Sequence, residues 1–272
     1  MSEEEGRGPL AQILASTPAR ANSAPVRKPD REFLILFTAR TGSSHLAELL
    51  TSAGVGDVRE WLNPAFVEGQ AKYFGATNFA DYFSAMRSVC PRGVFGQKMT
   101  IWFYEQFSRE VRLEDHFDFG APCVFLFREN IVEQAVSLCF AANRNVFHGK
   151  DDATPLADVA YNAADIRQCI DGFVSEEERL RSFIEQHGSR VRYLSYEHLA
   201  CAPTETVLNA IGRLVGVPPI PGKAASAYRK LGDEANREQA ERFISERPDY
   251  IADVVRRRQW LFDALWRKPL VQ

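Results

Sequence analysis

The sequence predicts a single α/β domain built on a central parallel sheet flanked by helices. Two observations carry that expectation: several apolar runs too short to be helices, and longer stretches of helical periodicity between them. Strands that alternate with helices imply parallel pairing, because parallel neighbours need long crossovers and the crossover helices cover the sheet. A chain of 272 residues that is 45% apolar and 11% aromatic can bury the core such a layer needs.

Taken in order, residues 1–30 are rich in Ala, Ser, Pro, Arg and Glu and are interrupted by Pro18, Pro25 and Pro29. They are expected to be a mostly disordered lead-in to a domain spanning 31–272. Phe33 to Phe37 reads as the first strand, Thr38 to Ser44 as a glycine turn, and His45 to Leu50 as the start of a helix. Val94 to Gly96, Cys123 to Phe127 and Val191 to Leu194 read as further strands. Helices are expected over Ile131–Asn143, Ala157–His187 and Pro203–Val215. From Pro218 onward the chain is helical and charged. There Arg256-Arg257-Arg258 reads as a solvated basic turn, and Trp260, Phe262 and Trp266 as residues that dock a helix.

Composition narrows the function. A net charge of −3 gives no general basic field for a nucleic-acid backbone, so any anion must be held by a local cluster of donors, which points to a small ligand and to no nucleic-acid partner. The five cysteines are scattered without a C-x-x-C pair, which fits neither a disulfide framework nor a zinc site and suits a reducing cytoplasm. No run approaches the roughly 18 apolar residues of a membrane span, and the acidic N-terminus lacks the order of a secretory signal.

The turn Arg40-Thr41-Gly42-Ser43-Ser44 is the first candidate site. A buried strand that ends in a Gly/Ser turn and opens a helix offers free N–H groups and the positive end of the helix dipole to phosphate or sulfate. Arg40 adds a forked cation, and the three hydroxyls add further partners. Ser43 or Ser44 also reads as a plain helix cap. A Walker A loop is absent, since neither Gly149-Lys150 nor Gly222-Lys223 is followed by Ser or Thr. A nucleotide bound here would need no metal ion. The second candidate site is Arg128 at the end of the Cys123–Phe127 strand with Ser137 in the following helix, both within reach of one phosphate. The same pair also reads as a surface ion pair and an exposed serine.

Together the two segments resemble the PAPS-dependent sulfotransferases of the Stf0 type, the bacterial trehalose 2-sulfotransferase-like family. The loop of that family reads Arg-Ser-Gly-Ser-Thr where this chain has Arg40-Thr41-Gly42-Ser43-Ser44, and its second segment ends in Gln-Ala-Val-Ser-Leu where this chain has Gln134-Ala135-Val136-Ser137-Leu138. Arg59-Glu60-Trp61-Leu62, Phe95-Gly96-Gln97-Lys98, Tyr196-Glu197-His198-Leu199 and Leu214 to Val217 are similar to family segments that lie between and after these two. The likeness runs over about residues 31 to 245 and implies a P-loop-like sulfotransferase fold.

The resemblance implies the donor 3′-phosphoadenosine 5′-phosphosulfate (PAPS), releasing PAP, with no metal. The 5′-phosphosulfate would lie on Arg40, Thr41, Gly42, Ser43 and Ser44, with His45 at the loop's edge, and the 3′-phosphate on Arg128 and Ser137. Glu60 is the implied general base, His148 an alternative base, Arg40 the leaving-group stabiliser and Lys98 a second cation. The acceptor is expected to be a hydroxyl of a carbohydrate, glycolipid or other small molecule, with Trp61, Phe66, Tyr73, Phe74, Trp102, Phe103 and Tyr104 near its pocket. A homodimer is also implied. Thr41, Ser44, His45 and Phe147-His148 depart from the family pattern. The changes at Thr41 and His45 leave open a protein that binds nucleotide or a partner without turnover, and a nucleotide kinase is the more distant reading.

Overall fold

A computed structural model describes residues 8–19, 28–144, 160–227 and 234–271. Five strands, β1 (Arg31–Phe37), β2 (Asp57–Arg59), β3 (Val94–Met99), β4 (Pro122–Phe127) and β5 (Arg190–Ser195), form one sheet in the order β2-β3-β1-β4-β5. Every pairing is parallel, with Ile35 opposite Lys98 on one side of β1 and opposite Val124 on the other. β3 and β4 are buried along their whole length, as strands with both faces covered must be. β2 is the strand that periodicity does not show, because Asp-Val-Arg is short and largely polar. It is placed by pairing with β3 and by Val58 N–H donating to Thr51 Oγ1 at 3.1 Å.

The chain leaves β1 towards β2 and β3 on one side and later places β4 on the other. The sheet therefore reverses direction of growth at β1. In open parallel sheets such a point leaves a crevice beyond the carboxyl ends of the strands, where ligands settle. The helix after β1, α2 (Ser43–Ser52), and the helix after β4, α6 (Ile131–Arg144), open on that crevice.

The lead-in contains a helix, α1 (Pro9–Ala15), where disorder was expected. Pro9 occupies the first turn, where its missing N–H is no loss. Leu10 and Leu14, one turn apart, are buried in the main core, and the Glu110 carboxylate accepts from Leu10 N–H and Ala11 N–H at 3.1 and 2.9 Å.

The long helix α7 (Ala163–His187) starts later than Ala157, where the Asn162 side chain accepts from Ala164 N–H at 3.0 Å and caps it. At the C-terminus, α11 (Pro248–Arg267) docks through Trp260, stacked on Phe125 at 6.1 Å, and Phe262, edge-on to Phe127. Two expectations for this segment fail. Trp266 is 87% exposed and docks on none of the described residues, whereas Arg258, placed by sequence in a solvated turn, is only 2% exposed. All five cysteines are free thiols, although Cys139 and Cys169 bring their sulfurs to 3.7 Å across α6 and α7.

Candidate functional site

The turn that follows β1 bends through two left-handed residues, Arg40 at φ +66° and Gly42 at φ +79°. Glycine takes this conformation freely, but an arginine does so at a cost of about 1–3 kcal/mol, which is usually met where function requires it. The turn closes on itself through Thr41 Oγ1–H, which donates to the Thr38 carbonyl at 2.9 Å. Gly42 caps α2 and no side chain completes the cap, so neither Ser43 nor Ser44 plays the structural role that sequence left open. A β-carbon on Gly42 would lie 3.0 Å from the Tyr196 ring, so only glycine fits there without displacement. The wholly buried Gln134 amide ties the turn to α6, donating to Thr38 Oγ1 at 2.8 Å and to the Ala39 carbonyl at 2.7 Å.

Two groups of predicted residues meet beside this turn. In the first, Arg40 Nε–H donates to Ser137 Oγ at 3.0 Å, and burial together with the nearby Arg128 cation lowers the Arg40 guanidinium from its ordinary value. Arg128 is itself buried, lies 4.8 Å over the Tyr196 ring and reaches Glu133 at 2.5 Å. Its buried Nε–H has no hydrogen-bond partner among the described residues, the Glu197 carboxylate standing off at 3.8 Å. Two cations and a hydroxyl, with one buried donor unsatisfied, make a place suited to an anion with several oxygens.

In the second group, Lys98 Nζ donates to Ser44 Oγ at 2.9 Å and pairs with Glu60 Oε1 at 3.1 Å. Burial pushes the Lys98 ammonium down and the Glu60 charge holds it up. The other Glu60 oxygen accepts from Asn63 Nδ2 at 2.7 Å. Glu60 therefore pairs with Lys98 and not with Arg59, which binds Asp57 at 2.8 Å.

Other expectations divide. His45 Nδ1 lies 2.9 Å from Ser226 Oγ, whose hydroxyl donates to Glu48 at 2.8 Å, so the histidine is engaged with the segment before residue 228. Burial lowers its imidazole. His148 lies outside the described residues. The aromatic set does not form one wall. Trp61 and Phe103 are core residues, and Tyr104 packs on Phe119 and Phe183, whereas Phe66, Tyr73 and Trp102 are exposed. A surface cleft lined by Arg87, Glu114, His116 and His187 includes Phe117 to Gly120, just before β4, and so lies at the opposite end of the strands. Sequence reasoning gave no role to Gln134 or Asn63. The signal for Gln134 was its place in the quoted segment, while Asn63, three residues after Glu60, carried none.

A parallel sheet flanked by helices, with a glycine turn after β1 and two arginines beside it, defines an α/β protein with a cationic turn at the carboxyl end of its strands. The Stf0 sulphotransferase family model matches residues 32–246, and the chain belongs to that family. It is 25% identical to trehalose 2-sulfotransferase of Mycolicibacterium smegmatis over 257 residues, covering 78% of this chain and 93% of the relative. Among solved structures it is similar to the sulfotransferase domain from the curacin biosynthetic pathway at TM-score 0.46 and 13% identity, covering 81% of this chain and 98% of that one. The sulfotransferase domain from the Synechococcus PCC 7002 olefin synthase matches at TM-score 0.46 and 14% identity, covering 83% and 91%.

Proposed function

We propose that this sulfotransferase moves the sulfuryl group of PAPS onto a hydroxyl of a small carbohydrate or related acceptor and releases PAP. The observation that carries the reading is the meeting of Arg40 and Arg128, brought from two separate loops, with the buried Arg128 Nε–H unsatisfied among the described residues. A donor with phosphates at both its 5′ and 3′ ends requires two such anion sites, whereas an ordinary adenine nucleotide requires one. The carbohydrate class is supported by the trehalose-modifying relative.

In this reading Arg40 and the N–H groups at the start of α2 receive the charge that develops on the leaving 5′-phosphate. Arg128, with Ser137 held through Arg40, binds the 3′-phosphate. Glu60 takes the proton from the acceptor hydroxyl as its oxygen bonds to sulfur. The bond between sulfur and the phosphate oxygen breaks, and its electron pair leaves with PAP. Lys98 stands between the base and the turn, bonded to Glu60 and Ser44, where it can neutralise the sulfuryl oxygens. Because Lys98 and Asn63 occupy both Glu60 oxygens, the acceptor hydroxyl must share or displace one of those bonds.

Calorimetric titration with PAP, beside adenosine 5′-phosphosulfate and ATP, tests the donor. Binding of PAP that needs no Mg²⁺ and is lost without a 3′-phosphate is expected; Mg²⁺-dependent ATP binding in its place would overturn the reading. Glu60→Gln is expected to leave PAP affinity unchanged and to slow transfer by about 10²–10⁴-fold, the usual contribution of a positioned base. Normal turnover in that variant would remove Glu60 from the mechanism.

A further inference from the structure

The turn Arg128-Glu129-Asn130, between β4 and α6, is held on both its polar sides by residues distant in the chain. On the N–H side, the Glu197 carboxylate accepts from Glu129 N–H at 2.9 Å and from Asn130 N–H at 3.2 Å. On the carbonyl side stands Arg258 of α11. Its Nη2 donates to the Arg128 carbonyl at 2.6 Å and its Nη1 to the Glu129 carbonyl at 3.0 Å. The same guanidinium is fixed from behind by a two-pronged pair with Glu177 of α7, at 2.7 and 2.9 Å. Arg258 and Glu177 are 2% and 1% exposed, so neither charge reaches solvent and each depends on the other. A planar guanidinium suits this task, since its fork can address a carboxylate on one edge and two carbonyls on the other, which a lysine ammonium cannot do.

From this geometry we infer that Arg258, oriented by Glu177, is a positioning residue for the donor site, fixing the backbone from which Arg128 reaches the 3′-phosphate. The inference rests on the PAPS reading for the identity of the ligand, but the contact itself does not. Arg258 lies beyond residues 32–246, the part of the chain that matches the family, so the donor site of this protein is completed by its C-terminal helix. At Arg128 and Glu129 it is the backbone carbonyls that Arg258 touches, and it acts on the ligand through the side chain of Arg128.

Removing one partner would strand a buried charge and could unfold the chain, so the test uses Arg258→Met with Glu177→Leu together, which removes both charges and keeps the packing volume. Binding of PAP and of adenosine 5′-phosphate, which lacks the 3′-phosphate, is measured by calorimetry for wild type, the paired variant, Arg128→Ala and the triple variant. Hydrogen exchange of the 128–131 amides is measured without ligand. In wild type, Arg128→Ala is expected to weaken PAP by about 10- to 100-fold, the range for a lost charged hydrogen bond. The paired variant is expected to exchange faster at 128–131, to weaken PAP by about 10-fold and to leave adenosine 5′-phosphate unchanged. Adding Arg128→Ala to it should then cost much less than in wild type.

Equal losses for both ligands, full additivity with Arg128→Ala, or unchanged exchange would each overturn the inference. If wild type binds PAP and the paired variant binds it equally well, the positioning role fails alone. If wild type ignores PAP, the donor reading fails first and the role falls with it.

Discussion

The turn after β1 and the turn after β4 deliver their arginines to the same place but acquire their shapes differently. The first is largely self-made: a glycine and a strained arginine set its bends, and Thr41 closes it on Thr38, three residues away. Its ties to α6 are the Gln134 amide and the bond from Arg40 Nε–H to Ser137 Oγ. The second turn is shaped from outside, by Glu197 some 67 or 68 residues along the chain and by Arg258 at 129 or 130. A turn made locally can be carried by a short motif. A turn made by distant clamps works only once the whole domain has folded around it, and its determinants lie scattered through the sequence.

The largest effect that separates the two turns is expected from Arg40→Ala. In the proposed reaction the side chain faces the place where charge develops on the leaving group, and removing such a donor typically costs about 10²–10³ in kcat. The turn keeps its own backbone bonds, so the protein should fold and bind PAP more weakly. Measured kcat and KM for the variant check this. A loss confined to KM would move Arg40 from transition-state stabilisation to simple ground-state binding and erase the functional contrast with Arg128.

Gly42→Ala comes next and tests whether the first turn is as self-sufficient as its bonds suggest. An alanine must hold the left-handed conformation, at about 1–2 kcal/mol, and its β-carbon would press on Tyr196 at 3.0 Å. Thermal unfolding should show a loss of that order, with weaker PAP binding because Tyr196 also carries the Arg128 guanidinium on its ring. Unchanged stability would show that the turn yields easily and that its shape is set elsewhere.

The same contrast explains what could be read from the sequence. β1, β4 and the glycine turn were legible because a continuous apolar run and its punctuation state a buried parallel strand directly. β2 was not, since three residues without apolar alternation become a strand only by pairing with β3. Arg40, Arg128, Ser137, Lys98 and Glu60 were named from local segments, and the structure brings Arg40 to Ser137 and Lys98 to Glu60. Asn63 and Arg258 were missed because nothing near them signals what they bind. In a row of three arginines, only the fold decides that Arg256 and Arg257 face solvent while Arg258 turns inward to a buried glutamate. The helix at Pro9–Ala15 was hidden by the prolines around it, and two leucines and the distant Glu110 carboxylate give it its place.

The smallest expected effect contrasts two adjacent glutamates of α7 and asks whether charge there matters or only the contact with Arg258. Glu177 meets Arg258, whereas burial pushes the Glu176 carboxyl up to about 7 from an ordinary 4.5, and Arg179 offsets only part of that. A folded-state value above the unfolded one means that the folded protein holds the proton more tightly. The stability this confers is fully present below about pH 4.5 and is lost as pH rises through about 7. Glu176→Gln mimics the protonated form. Its stability should equal wild type below that window and exceed it above, by on the order of 1–2 kcal/mol once partial exposure is allowed for. Unfolding measured across the window checks the sign, and PAP affinity should not move at any pH where both proteins are folded. A variant that gained stability but lost PAP would extend the clamp on the second turn to Glu176, and the role given to Glu177 and Arg258 would then belong to the whole face of α7.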